Sequence, residues 1–418
     1  MTVSHKLTSD LTDPKLPALA ALLAPGIPEP LLALGDELGA RVTAAEAIQV
    51  TWWPGRGITV RYRAKLEGGQ IPGEHQLVAV SGDIPEGALI VEGDGDARVG
   101  LWRVPFDPQL PGLASALDPG TTGALLDDLG LPAGKVRTKL RAYRPGKRAV
   151  VEVTRSSGSI FLKIVPPMDA GRLHHIHQFL LGHLPVPQSL GYSPDLGIIA
   201  LHAMAGTTLR QRLLARGPLP TPAALESLLA ALPVPDRSWK APSPIDRVPR
   251  IGELLSALLP KQASLVGELV AEIGVETLKA DRPVHGDFYE AQVMTARDQV
   301  VGMLDFDTFG MGRAPDDPAT MIGHLAVLSH TYSSARIRGF ANDLLRRADS
   351  HLDPVDLRRR VASAVLSLAT GPFRVQRPNW PQSTQDRLHQ VKRWLESARR
   401  VEETGFVTNA GLSQTLAG

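Results

Sequence analysis

Two acidic loops hold the residues best placed for chemistry. The first reads Val284-His285-Gly286-Asp287-Phe288-Tyr289-Glu290-Ala291-Gln292-Val293 and the second Val301-Gly302-Met303-Leu304-Asp305-Phe306-Asp307. Short apolar β-like runs, Gln292-Val293-Met294 and Val300 to Leu304, border them. The pattern therefore predicts a short hairpin-like unit with Asp287 and Asp305 on loops at its opposite ends. Two carboxylates held in this way suit phosphorylation of a hydroxyl. One accepts or orients the nucleophile's proton, and the other holds Mg²⁺ against phosphates whose charge must be neutralised during transfer. A lone His-Gly-Asp is a common loop tripeptide in which the Asp caps or turns the chain. Gln292 five positions later, and Asp-Phe-Asp after a strand-length gap, favour catalysis over that reading.

These loops resemble those of the aminoglycoside phosphotransferase and choline kinase superfamily. Its catalytic loop reads His-Gly-Asp, four residues, then Asn, and its metal loop reads Ile-Asp-Phe or a close variant. His285-Gly286-Asp287 and Leu304-Asp305-Phe306 match. The resemblance implies Asp287 as catalytic base, with His285 in the same catalytic motif, and Asp305 as the main Mg²⁺ ligand. Gln292 stands at the place of the family's Asn, which implies a second metal ligand; it keeps an amide oxygen but reaches one methylene further. Asp307 is either a second metal ligand or a solvated loop carboxylate. Asp317 matches a structural Asp that braces the catalytic loop. Upstream, Phe161-Leu162-Lys163 resembles the third small-lobe strand, with Lys163 contacting ATP phosphates. The turn Arg144-Pro145-Gly146-Lys147-Arg148 falls where the nucleotide-covering loop belongs, which assigns Gly146 and Lys147 to ATP. Leu201 to Leu209 resembles the hinge that holds adenine, with Leu201 and Met204 as its contacts. The family's Glu on the next helix has no counterpart in Asp169 to Gln178. The resemblance covers residues 135 to 400 and implies an α+β, protein-kinase-like bilobal fold: a small antiparallel β lobe and a large helical lobe, here preceded by an N-terminal α/β extension.

Other residues have plainer readings. His174 and His177 share a helix face, but no carboxylate or further His accompanies them at ligand spacing. Trp52, Trp53 and Trp102 suit the core of an N-terminal module better than a sugar-stacking face. Tyr289 and Glu290, inside the catalytic loop, are candidates to touch substrate. The pairs and triplets Arg346-Arg347, Arg358-Arg359-Arg360 and Arg399-Arg400 read as solvated faces. A lobe so rich in arginine is a poor receptor for a polycationic aminoglycoside, whose desolvation needs carboxylates in return.

The elements that must position these loops are legible as changes of period. Residues 15 to 40 read as helix. Ile48 to Tyr62 alternates as a hairpin about Pro54-Gly55-Arg56-Gly57, and strands follow at Gln76–Val80, Ala88–Val91 and Val99–Val104. Leu140 to Val153 is a second hairpin, followed by a strand at Ile160–Val165. Trp53-Pro54-Gly55-Arg56 and Arg144-Pro145-Gly146-Lys147 sit in the same hairpin frame. This is either a weak repeat of one β-module or two unrelated hairpins with common turn chemistry. After Val165 the pattern is mostly helical, with four helical patterns between Asp317 and Glu403. The division expected is an N-terminal extension at 1–115, a kinase-like small lobe at 116–204 and a helical large lobe at 205–418.

Bulk properties set outer limits. The 418 residues are 43% hydrophobic and 21% charged, the balance of a soluble globular chain of two or three units. A net charge of +2 demands neither nucleic acid nor an anionic membrane as partner, and no apolar run is long enough to span one. The absence of cysteine excludes disulfides and thiolate chemistry and fits a reducing cytoplasm. The opening MTVSHKLTSDLTDPKL shows no signal-peptide pattern. The expected protein is a cytoplasmic ATP- and Mg²⁺-dependent phosphotransferase. Its acceptor would be a hydroxyl of a small molecule (sugar, amino alcohol or natural product) or a peptide Ser/Thr, with the N-terminal module a place for a peptide or partner protein. The competing expectation is a catalytically silent nucleotide-binding or scaffolding protein, favoured by the missing helix Glu and by Gln292.

Overall fold

The structure is a computed structural model that describes residues 11–93, 96–131 and 134–405. Residues 1–10 of the opening MTVSHKLTSDLTDPKL lie outside the described residues. The fold is α+β, with antiparallel sheets and many helices. The chain divides into two compact units. One lies within Met1–His175, Ser189–Ala203 and Pro372–Pro381, the other within Ile176–Gln188, Met204–Gly371 and Gln382–Gly418.

The first unit contains two five-stranded sheets. Helices α1 (Leu19–Leu23) and α2 (Glu29–Glu37) precede β1 (Arg41–Trp53), β2 (Gly57–Glu67), β3 (Gly73–Ser81), β4 (Leu89–Glu92) and β5 (Arg98–Arg103). Helices α3 (Gly112–Leu117) and α4 (Pro119–Asp128) then precede β6 (Arg137–Arg144), β7 (Arg148–Arg155), β8 (Gly158–Ile164), β9 (Ser189–Ser193) and β10 (Ile198–His202). Helix α5 (Pro167–Leu180) starts between β8 and β9. The strand orders are β1-β2-β3-β5-β4 and β6-β7-β8-β10-β9, the same order twice. Alternation along β2 and β7 sends Val60, Tyr62 and Ala64, and likewise Ala149, Val151 and Val153, into the interior. One apolar core joins residues of both sheets, Val78, Val80 and Trp102 with Val151, Leu162 and Ile198; Leu113 and Leu126 pack into it from the intervening helices, and Leu110 from just before them. Each such side chain, fully buried, contributes about 1.5–3 kcal/mol.

The helical stretch of residues 15–40 forms as two helices, separated at Pro25-Gly26 and Pro28. The first strand begins at Arg41 rather than Ile48. Its polar first half is half-exposed and is held by pairing from Arg41↔Glu67 onward, so hydrophobic alternation does not reveal it.

In the second unit, β11 (Thr207–Thr208) leads into α6 (Leu209–Leu214), α7 (Pro222–Ala230), α8 (Val248–Leu258) and α9 (Ala263–Ile273). Four short strands follow: β12 (Arg282–Val284), β13 (Val293–Ala296), β14 (Gln299–Met303) and β15 (Gly310–Gly312). The tail is α10 (Asp316–Thr331), α11 (Ala335–Asp349), α12 (Pro354–Ala369), α13 (Gly371–Arg374) and α14 (Trp380–Thr404), of which the stretch Pro372–Pro381 belongs to the first unit. Among the described residues no helix is long and apolar enough to cross a membrane.

Two of the arginines expected on solvated faces are instead fully buried. Arg358 pairs with Asp349 at 2.7 Å. Arg360 bonds Glu276 at 2.9 Å, Asp316 at 2.6 Å and Asp356 at 2.8 Å. Burial raises the Glu276 carboxyl, but hydrogen bonds from Arg360 and Ser243 outweigh it and leave the pKa lowered to about 2 from 4.5. A depressed acid stabilises the fold fully above its unfolded value and loses that contribution as pH falls through the folded value. Glu276→Gln should therefore cost about 3 kcal/mol at pH 7 in urea unfolding, the scale for breaking a buried pair. The difference from wild type should shrink progressively between pH 4.5 and pH 2. A pH-independent difference would contradict this.

Candidate active site

Two interleaved ladders in the second unit set the two acidic loops side by side. β12 pairs with β15 through Val284↔Gly310, and β13 pairs with β14 through Val293↔Met303. The loop from β12 to β13 carries Asp287, and the loop from β14 to β15 carries Asp305. The sequence expectation of opposite ends is thus corrected. Antiparallel pairing folds the hairpin back on itself, so the residues preceding β13 and those following β14 emerge at the same open end.

Several contacts tie these loops together. The buried Asp317 carboxylate accepts two consecutive backbone N–H groups, from His285 at 2.7 Å and Gly286 at 2.9 Å. Burial pushes this carboxyl up to about 7, against the pull of those two donors. His285 is fully buried. Its Nε2 lies 2.8 Å from the Leu304 carbonyl and its Nδ1 accepts the Asp287 N–H at 3.3 Å. A carbonyl only accepts, so the Nε2 carries the proton. The ring also packs on Phe306, with centroids 4.8 Å apart. Thr308 Oγ donates to the His285 carbonyl at 3.1 Å. Gly286 has φ +80°, and a Cβ there would lie 2.6 Å from the Thr308 carbonyl oxygen, so only glycine fits.

Gln292 and Asp305 meet directly, Nε2 to Oδ2 at 3.2 Å. An ionised carboxylate only accepts, so the amide must present its NH₂. Asp305 sits at φ +63°, a left-handed conformation that is strained for a residue with a Cβ. Asp307 lies two residues further on, half-buried. Among the described residues no three His, Asp or Glu side chains gather into a ready-made metal cage. Mg²⁺ needs none: one or two carboxylates with phosphate oxygens and water complete its shell, so the oxygen donors at Asp305 fit it.

Tyr289 and its surroundings went unresolved in the sequence. Its ring stacks on His324 at 4.3 Å, with the Arg210 guanidinium 5.6 Å from its centroid. Burial, then the charges of Asp287 and Asp305, push its hydroxyl up to about 12. Tyr289 therefore stands within the field of both acids. Glu290, the other candidate for substrate contact, is fully buried and paired with Arg210 at 2.7 Å. No local pattern marks Arg210 or His324, because each reaches this loop only through the tertiary fold.

Met204 belongs to this same unit, its side chain against Gly302, where a Cβ would fall 1.9 Å from its terminal methyl. The remaining candidates lie in the first unit. Lys163 is buried on β8 between Val150 of β7 and Ile199 of β10. Leu201 is buried on β10. Gly146, at φ +63°, forms the β6–β7 turn with the exposed Lys147. Helix α5 forms as expected and presents no Glu.

Comparison with solved structures gives three instructive cases. A streptomycin–ATP–APH(2″)-IIa ternary complex is 15% identical, with 62% of this chain and 93% of that one covered and a TM-score of 0.44. A macrolide 2′-phosphotransferase type I is 15% identical, covering 64% and 96%, with a TM-score of 0.43. A choline kinase from Cryptosporidium parvum Iowa II is 12% identical, covering 69% and 97%, with a TM-score of 0.47. No protein-family model and no curated protein matches the sequence.

The brace at Asp317 is open to direct test. Asp317→Asn turns one acceptor into a donor facing a buried N–H, at a cost of about 1–3 kcal/mol. Hydrogen exchange across Val284–Phe288 should accelerate about tenfold or more, following that cost. Unchanged protection would contradict the brace.

Proposed function

We propose that this protein is an ATP- and Mg²⁺-dependent phosphotransferase that moves the γ-phosphate to a hydroxyl of a small molecule or of a peptide Ser/Thr. The observation that carries the reading is the junction of the two acidic loops: Gln292 bonded to Asp305, and His285 bonded to both Leu304 and Asp287. Asp287 takes the acceptor's proton as its oxygen forms the new bond to phosphorus. The bond from phosphorus to the bridging oxygen breaks, and its electron pair leaves with ADP. Asp305 would hold Mg²⁺, which would supply charge neutralisation at the phosphates. Gln292 presents its NH₂ to Asp305 and so orients that carboxylate as a positioning group, with its amide oxygen as the atom that could face a second metal. His285, buried with both ring nitrogens engaged, positions Asp287 rather than carrying its proton. Lys163 and the turn at Gly146 and Lys147 serve the phosphates, and Leu201 and Met204 the adenine. Since a general base contributes about 10²–10⁴ in rate, Asp287→Asn should bind Mg-ATP like wild type and lose slow ATP hydrolysis by about that factor. If wild type binds Mg-ATP but neither protein hydrolyses it or transfers it to any hydroxyl compound, the enzyme reading fails and the silent nucleotide-binding reading stands.

A further inference from the structure

The turn Arg144–Arg148 rests on a built device, and the same device occurs twice. Asp107 is buried, only 3% exposed. Its Oδ1 accepts the Gln109 N–H at 2.9 Å. Its Oδ2 accepts the Gly146 N–H at 2.8 Å and the Tyr143 hydroxyl at 2.7 Å. In the first sheet, Asp13 Oδ1 accepts the Lys15 N–H at 3.0 Å. Its Oδ2 accepts the Gly55 N–H at 2.7 Å and the Trp52 indole N–H at 3.3 Å. Asp13, Lys15, Trp52 and Gly55 thus correspond atom by atom to Asp107, Gln109, Tyr143 and Gly146.

The correspondence extends into sequence and register. Asp13-Pro14-Lys15-Leu16-Pro17-Ala18-Leu19-Ala20 aligns with Asp107-Pro108-Gln109-Leu110-Pro111-Gly112-Leu113-Ala114, with six of the eight residues identical. Each segment leads through two helices into the same strand order. Counted from the turns, Thr59↔Val80 in the first sheet matches Val150↔Lys163 in the second. Val80 therefore occupies the place of Lys163. The first sheet also lacks a helix where α5 begins in the second.

We infer that the N-terminal module is a second copy of the small lobe that has lost the phosphate-contacting lysine, and that Asp107 is a positioning residue fixing the turn Arg144–Arg148 for nucleotide phosphates. The Gly146 N–H is committed to Asp107 and the Lys147 N–H to the Arg144 carbonyl at 3.0 Å. The turn consequently offers phosphate its side chains rather than a cradle of backbone N–H groups, and those side chains are only as well placed as the turn. The degenerate copy still contributes. Trp102 donates to the Tyr143 hydroxyl at 3.0 Å, and Arg61 donates to the Tyr143 carbonyl at 3.0 Å, so the residue before the turn is gripped from the first sheet.

This inference rests on the proposed nucleotide site, and Mg-ATP binding to the full chain by calorimetry separates the two. If wild type fails to bind, the functional reading falls. If wild type binds, Asp107→Ala should weaken Mg-ATP by about tenfold or more, roughly 1.4 kcal/mol, while Asp13→Ala, which removes the same device from the copy without the lysine, should bind as wild type. Equal weakening by both variants, or by neither, overturns the inference. Should Asp107→Ala not fold, Tyr143→Phe removes only the hydroxyl and should still weaken Mg-ATP several-fold; unchanged binding in that variant also overturns it.

Discussion

A single buried carboxylate under two consecutive peptide N–H groups is the constraint on which the candidate site depends. Asp317 at the start of α10 takes the N–H groups of His285 and Gly286 and so fixes where the loop carrying Asp287 leaves β12. From that anchor the His285 ring reaches the Leu304 carbonyl and fixes where the loop carrying Asp305 leaves β14. The order matters physically. The two loop backbones are thus held by Asp317 and His285 rather than by the side chains of Asp287 and Asp305. The strain at Asp305, left-handed with a Cβ, is sustained by its surroundings: the Gln292 amide on its carboxylate and the fully buried Phe306 beside it.

The loops themselves were legible in the sequence because their chemistry is local. His-Gly-Asp, Asp-Phe-Asp and the intervening strands are contiguous, and Asp317 was recognisable by resemblance. Their relative placement was less so. Apolar runs between the acids announce a hairpin, but only the pairing of β12 with β15 as well as β13 with β14 shows that both acids leave the same end. Arg210 and Glu290 are 80 residues apart, and no periodicity joins them. The buried Arg358 and Arg360 misled for a related reason: an arginine triplet usually marks a wet face, and here the partners that make burial tolerable are distributed over Glu276, Asp316, Asp349 and Asp356.

The N-terminal extension was seen in outline as a hairpin recurring in the same frame. Its meaning depends on hydrogen bonds that no turn motif encodes, since Asp13 lies 42 residues from Gly55 and Asp107 lies 39 from Gly146. Shared strand order then separates inheritance from coincidence better than turn composition does. Two sheets on one core also explain why the extension does not form a compact unit apart from the second sheet.

Phosphate transfer at the paired loops is the central claim. The most direct measurement is a mass-gain screen of sugars, amino alcohols and Ser-containing peptides incubated with Mg-ATP and either wild type or Asp287→Asn. Wild type should add one phosphoryl group to a hydroxyl acceptor and the variant none. Phosphorylation surviving at full rate in Asp287→Asn would contradict Asp287 as the base.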